Sequence, residues 1–168
     1  MSRKITLLLA AFLLSSTIAV AETYKLYGDA RVGSKFRSVE ATSAIPFDKT
    51  YAELTQEQKD MFRATYGGLR DDEQPPYPSA GSEAIYKPII EGHNRIARGG
   101  NLFLVAMVNE QGKVENVAVY ESPADAMTEL ATAVLFNTEF DPASCAGAPC
   151  KMEFPFEFEL SRKEKIRN

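Results

Sequence analysis

From Lys151 to Leu160 the chain reads KMEFPFEFEL, an unbroken alternation of apolar and polar residues. Met152, Phe154, Phe156, Phe158 and Leu160 fall on one side. Lys151, Glu153, Pro155, Glu157 and Glu159 fall on the other. Period two over this length is the signature of a half-buried strand, so the chain must build a sheet with one wet face. Pro155 has no backbone N–H and belongs on an edge strand or at a bulge. The three glutamates are charges of the kind that discourage indiscriminate edge pairing. The strand is therefore expected at a sheet edge, with Lys151, Glu153, Pro155, Glu157 and Glu159 as the candidate partner-binding residues.

Both cysteines lie in the loop before this strand, Cys145-Ala-Gly-Ala-Pro-Cys150. What they do depends on compartment, and the start of the chain speaks to that. MSRKITLLLAAFLLSSTIAVAE has a basic start (Arg3, Lys4), an apolar run from Ile5 to Leu14 and an Ala19-Val20-Ala21 end. This is the layout of a secretory signal peptide over residues 1–21, with cleavage before Glu22. The alternative is an uncleaved anchor, but Ile5–Ala21 contains Ser15, Ser16 and Thr17 and would span a bilayer marginally. No later segment is apolar enough to cross, so the mature form is expected to carry no stable membrane span. Export to an oxidising periplasm makes Cys145–Cys150 an expected disulfide. Its spacing is not the C-x-x-C of redox-active pairs, and two cysteines with one distant histidine are a poor metal set. Closing so short a loop is worth roughly 2 kcal/mol, so the bridge is expected to act locally.

Removing Arg3 and Lys4 with the leader takes the formal net charge from −4 to −6. An acidic product without a basic stripe argues against nucleic-acid binding. Residues 22–72 form an N-terminal extension. DDEQPPYP (Asp71–Pro78) is expected to be an extended, solvated hinge, with Asp71, Asp72 and Glu73 as ordinary linker acids. Residues 73–160 form the second part, and 161–168 a basic tail. In the extension, Thr55 and Gln58 form a T-x-x-Q capping box. The helix it starts would present Leu54, Met61, Phe62, Thr65, Tyr66 and Leu69 on one face and end at Gly67-Gly68. SEAIYKPIIEGHNRIA is expected to be a helix kinked or divided at Pro88, with His93 on its surface. Leu102–Val108 and Val114–Glu121 read as a hairpin, Gly112 taking the left-handed turn position. A helix capped by Ser122, with Pro123 first and Asp125 near its positive end, carries Met127, Leu130, Ala131, Val134, Leu135 and Thr138 as its apolar stripe.

The segments YPSAGSEAIYKPII, GGNLFLVAMVNEQGKVENVAVYESPA, LATAVLFNTEFDPA and FPFEFEL, in that order, resemble the C-terminal domain of TonB over Tyr77–Leu160. In that family a Tyr-Pro opens a helix and a Gly leads into a strand. An acidic turn with Gly-Lys/Arg-Val follows, then a helix ending in aromatic-x-Pro, then a strand closing in Phe-x-Leu. The resemblance implies an α+β fold: a three-stranded antiparallel sheet with helices packed on one face, here plus an N-terminal helical extension. It also implies work by binding, through addition of a short extended peptide to a sheet edge, as TonB does with outer-membrane receptor segments. The chain departs from TonB transducers in its cleavable start and in having only PPYP where they carry a long Pro-rich spacer. It therefore reads as a stand-alone exported TonB-like domain.

Three functions compete. The first is a periplasmic protein-binding module that engages a peptide or receptor segment and takes part in transport. The second is a secreted inhibitor or accessory protein acting through its disulfide loop. The third is a membrane-anchored TonB-like transport component. No Ser-His-Asp set, Cys-His pair, metal-ligand spacing or phosphate loop can be assembled, so no enzyme and no cofactor is expected. Phe103, Val105 and Met107 make the second face of their strand apolar too, and something should cover it. Leu54, Met61, Phe62 and Tyr66 are the expected cover. A second copy of the protein, in a homodimer, is the other.

Overall fold

Two long strands carry the architecture. β5 (Gly100–Val108) buries Leu102, Leu104, Ala106 and Val108, while β10 (Met152–Leu160) buries Phe154, Phe156 and Leu160. They pair antiparallel over their whole length, from Met152↔Val108 to Leu160↔Gly100, with no register shift. β6 (Val114–Glu121) pairs on the other side of β5, giving a three-stranded sheet in the order β10-β5-β6. The structure is a computed structural model and describes residues 22–27, 39–96 and 98–160. The signal-peptide and basic-tail assignments lie outside the described residues.

The remaining elements are β1 (Tyr24–Tyr27), β2 (Val39–Ser43), a 3-10 turn at Tyr51–Glu53, α1 (Gln56–Arg63), β3 (Glu73–Gln74), β4 (Tyr77–Pro78), α2 (Glu83–Ile96), α3 (Asp125–Asn137), β7 (Phe140–Asp141), β8 (Ala143–Cys145) and β9 (Ala148–Cys150). The fold is thus mixed α+β, with small antiparallel sheets around the three-stranded one. One core cluster joins Ile85 and Ile89 of α2 and Met127, Ala131 and Leu135 of α3 to the buried face of β5 and β10. α2 and α3 approach closely, since a Cβ at Gly92 would lie 2.1 Å from Leu130 Cδ2. Among the described residues no helix is long and apolar enough to cross a membrane.

The extension enters this same core. Tyr51, Leu54 and Phe62 are buried in it, with Phe62 5.1 Å from the Tyr77 ring and 6.4 Å from Phe154. This corrects the expectation that Leu54, Met61, Phe62 and Tyr66 cover the second face of the sheet. Phe154 belongs to the buried face, and Phe103, Val105 and Met107 belong to neither core cluster. Phe103 instead stacks on Tyr120, which is 65% exposed. A smaller cluster of Leu26, Ala41, Phe47 and Ile90 fastens the β1–β2 hairpin to α2.

Several local readings need correction. The Pro-rich hinge is part of the fold: Glu73–Gln74 pairs with β8, Tyr77–Pro78 pairs with β7, and Pro75, Pro76, Tyr77 and Pro78 are buried. α1 begins with the expected Thr55–Gln58 box but stops at Arg63 rather than at the glycines. There the Thr65 hydroxyl donates to the Phe62 carbonyl and the Arg63 guanidinium turns to the carbonyls of Arg70 and Glu73, closing the chain into a turn. α3 begins after Ala124, not Ser122, because the Ser122 hydroxyl donates to the Ala124 carbonyl instead of accepting from the helix. α2 continues through Pro88 undivided, and His93 is buried at 6% exposure, one turn beyond Ile89 on the Ile85–Ile89 stripe.

Candidate functional site

β10 is an edge strand: β5 is its only paired neighbour among the described residues. Which of its backbone groups face outward follows from proline chemistry. Antiparallel partners alternate between pairs that exchange both backbone hydrogen bonds and pairs that exchange neither. Pro155 has no N–H, yet the register runs through Pro155↔Val105 without a shift. Pro155 therefore occupies a non-bonded pair, and so do Glu153, Glu157 and Glu159. Their backbone groups point away from β5 into the open edge. The edge thus offers N–H donors at 153, 157 and 159, and a gap at 155.

The sequence-derived site residues divide on the structure. Glu153, Glu157 and Glu159 are exposed and share the wet face of β10, with Pro155 partly buried between them. Lys151 does not join them. It precedes β10 and reaches across the end of β5 to an ion pair with Glu115 of β6. That pairing holds the Glu115 carboxyl below its ordinary range, through the Lys151 hydrogen bond first and Asn109 second, and raises Lys151.

Two elements flank the edge that sequence reasoning did not place there. At the Glu157–Glu159 end, β2 runs alongside without pairing. Between them lies a groove of about 410 Å³ lined by Glu40, Ala41 and Thr42 of β2, by Glu157, Phe158 and Glu159, and by Tyr86. Tyr86 packs edge-on against Phe156 and Phe158, and burial pushes its hydroxyl up to about 12. At the other end Phe62 and Tyr66 pack together beside Phe154. The Tyr66 hydroxyl is buried without a hydrogen-bond partner, and burial, then the Glu153 charge, raises it above the ordinary tyrosine range. The strand-like fragments of Tyr24–Phe47 were the only sequence signal for the β2 wall.

Cys145 and Cys150 are bonded, with Cα atoms 5.7 Å apart. They staple the β8–β9 hairpin, whose turn residues Ala146 and Gly147 have φ of 50° and 82°. β8 also pairs with β3, so the staple steadies the strand that receives the Pro-rich segment. Comparison with family models gives no match, and comparison with curated proteins gives none either.

Proposed function

We propose that this chain is a non-catalytic, periplasmic protein-binding module that takes an extended peptide along the open edge of β10, in the manner of the TonB C-terminal domain it resembles. The observation that carries the reading is the open outer edge of the nine-residue β10, which is held in unbroken register on one side and presents outward backbone groups on the other. Strand addition uses such groups for affinity and neighbouring side chains for choice of partner. The resemblance supports a sheet with helices on one face and a receptor segment as the partner, while the basic start, apolar run and Ala19-Val20-Ala21 end support export through cleavage before Glu22. The stapled β8–β9 tip, exposed at Ala146–Pro149, supports a second reading in which that tip meets a target protein.

A backbone amide NMR titration of the oxidised protein with extended peptides separates the two. Edge addition shifts the amides of Glu153, Glu157 and Glu159 together. Shifts confined to Ala146, Gly147 and Ala148 would transfer the function to the disulfide tip.

A further inference from the structure

We infer that the strand accepted at this edge is cationic, with Lys or Arg at two positions two residues apart, and that it enters beside Glu157 and Glu159 rather than along all of β10. This rests on the edge-binding reading above. The carboxylates of Glu157 and Glu159 lie on one face of the strand, about 7 Å apart by strand rise. On the β5 side their cross-strand neighbours are Phe103 and Asn101, which offer no cation. Neither carboxylate joins an ion pair among the described residues. Opposite-charge pairs across neighbouring strands stabilise and like-charge pairs destabilise. Among the described residues, the flank left for such a pair is the open one.

The groove against β2 opens on that flank at these same residues, and Glu40 stands on its far wall. An added strand in this slot would place alternate side chains opposite Glu157 and Glu159, which sets the i, i+2 spacing of its cations. Its length is limited from the other direction. Pro155 offers the added strand no donor, and Phe62 and Tyr66 crowd the buried face at Phe154. The outward donors past Pro155 are therefore the N–H groups of Glu157 and Glu159. An acidic strand would bring carboxylate against carboxylate in the same slot.

The test uses oxidised protein and synthetic peptides, with affinity and backbone amide shifts read together. Val-Lys-Val-Lys-Val should bind, shift the amides of Glu157 and Glu159, and weaken about tenfold in Glu157→Gln/Glu159→Gln. Glu129→Gln, an exposed change on α3, should leave it unaltered. In a folded Glu157→Lys/Glu159→Lys protein the preference should pass to Val-Glu-Val-Glu-Val. Equal binding of Val-Thr-Val-Thr-Val would overturn the charge requirement and leave edge binding standing. Equal binding of Val-Val-Lys-Lys-Val would show attraction without strand register and overturn the proposal. Absence of shifts with every peptide would overturn both the proposal and the edge reading.

Discussion

A side chain at position 112 would place its Cβ 1.9 Å from the Phe140 carbonyl oxygen, at a φ of +73° that L-residues rarely adopt. The turn between β5 and β6 is therefore also the seat of the segment leaving α3, and the Phe140 N–H donates to the Gly112 carbonyl at 3.1 Å. Gly112→Ala combines backbone strain with a clash against backbone, and should cost at least about 2 kcal/mol. Urea unfolding within 0.5 kcal/mol of the parent, taken here as roughly the scatter of a surface change, would contradict that. Tyr66 offers the opposite case. Its hydroxyl is out of solvent and unbonded, so Tyr66→Phe removes a desolvated group without removing a bond. The same unfolding measurement should show stability unchanged or raised by about 1 kcal/mol. The hydrogen bond between Glu115 and Lys151 lowers the first and raises the second. The lowered Glu115 contributes above its unfolded pKa and loses that contribution as pH falls through its folded value. The raised Lys151 contributes below its unfolded pKa and loses it as pH rises through its own. In an NMR pH titration, Lys151→Ala should move the Glu115 midpoint up toward the ordinary glutamate value. No movement would mean that the ion pair does not persist in solution.

At the scale of elements, the staple on the β8–β9 hairpin makes the clearest case. Six residues from Cys145 to Cys150 close a small loop, so Cys145→Ala/Cys150→Ala should cost about 2 kcal/mol by the loop-entropy estimate. The far-ultraviolet spectrum should survive. Its collapse would mean that the hairpin, through β8 and β3, holds the Pro-rich segment more firmly than local closure implies. The elements legible in the sequence were those with a local physical cause. Alternation gave β10, Pro155 and the glutamates gave its edge position, β-rich runs around a glycine turn gave β5 and β6, and the Thr55–Gln58 box gave the start of α1. The illegible ones depended on distant partners. PPYP reads as linker because prolines cannot extend most ladders, yet β7 and the core ring of Phe62 bury it. Ser122 has the chemistry of a cap, but its hydroxyl found a carbonyl first. His93 was legible in principle, since Ile85, Ile89 and His93 repeat every four residues. Residue type outweighed periodicity there. At the candidate site, the wet-face glutamates were readable from alternation. The β2 wall was not, because nothing local ties Glu40–Thr42 to residues more than a hundred positions later.

At the scale of the molecule, the question is what the extension contributes to residues 73–160. Had Leu54, Met61, Phe62 and Tyr66 covered the wet face, deleting residues 22–72 would bare Phe103, Val105 and Met107 and leave a folded sheet free to dimerise. The packing calls for a different outcome. Tyr51, Leu54 and Phe62 lie inside the core shared with Tyr77, Leu102 and Phe154. Burial of each such side chain is worth about 2 kcal/mol. Together, at about 6 kcal/mol, they match the lower end of a domain's whole stability, about 5 kcal/mol. Their removal also bares the rings of Tyr77 and Phe154, and the deletion takes Arg63 away from the Glu73 carbonyl. The fragment Glu73–Asn168 should therefore lose cooperative unfolding, seen as a broad or absent thermal transition, and bind a hydrophobic dye. A well-folded dimer on size-exclusion chromatography with light scattering would instead restore the wet face as the surface that the extension guards. A monomer melting cooperatively near the parent temperature would show that residues 73–160 complete a core without Tyr51, Leu54 and Phe62. The packing described here would then be dispensable to the fold.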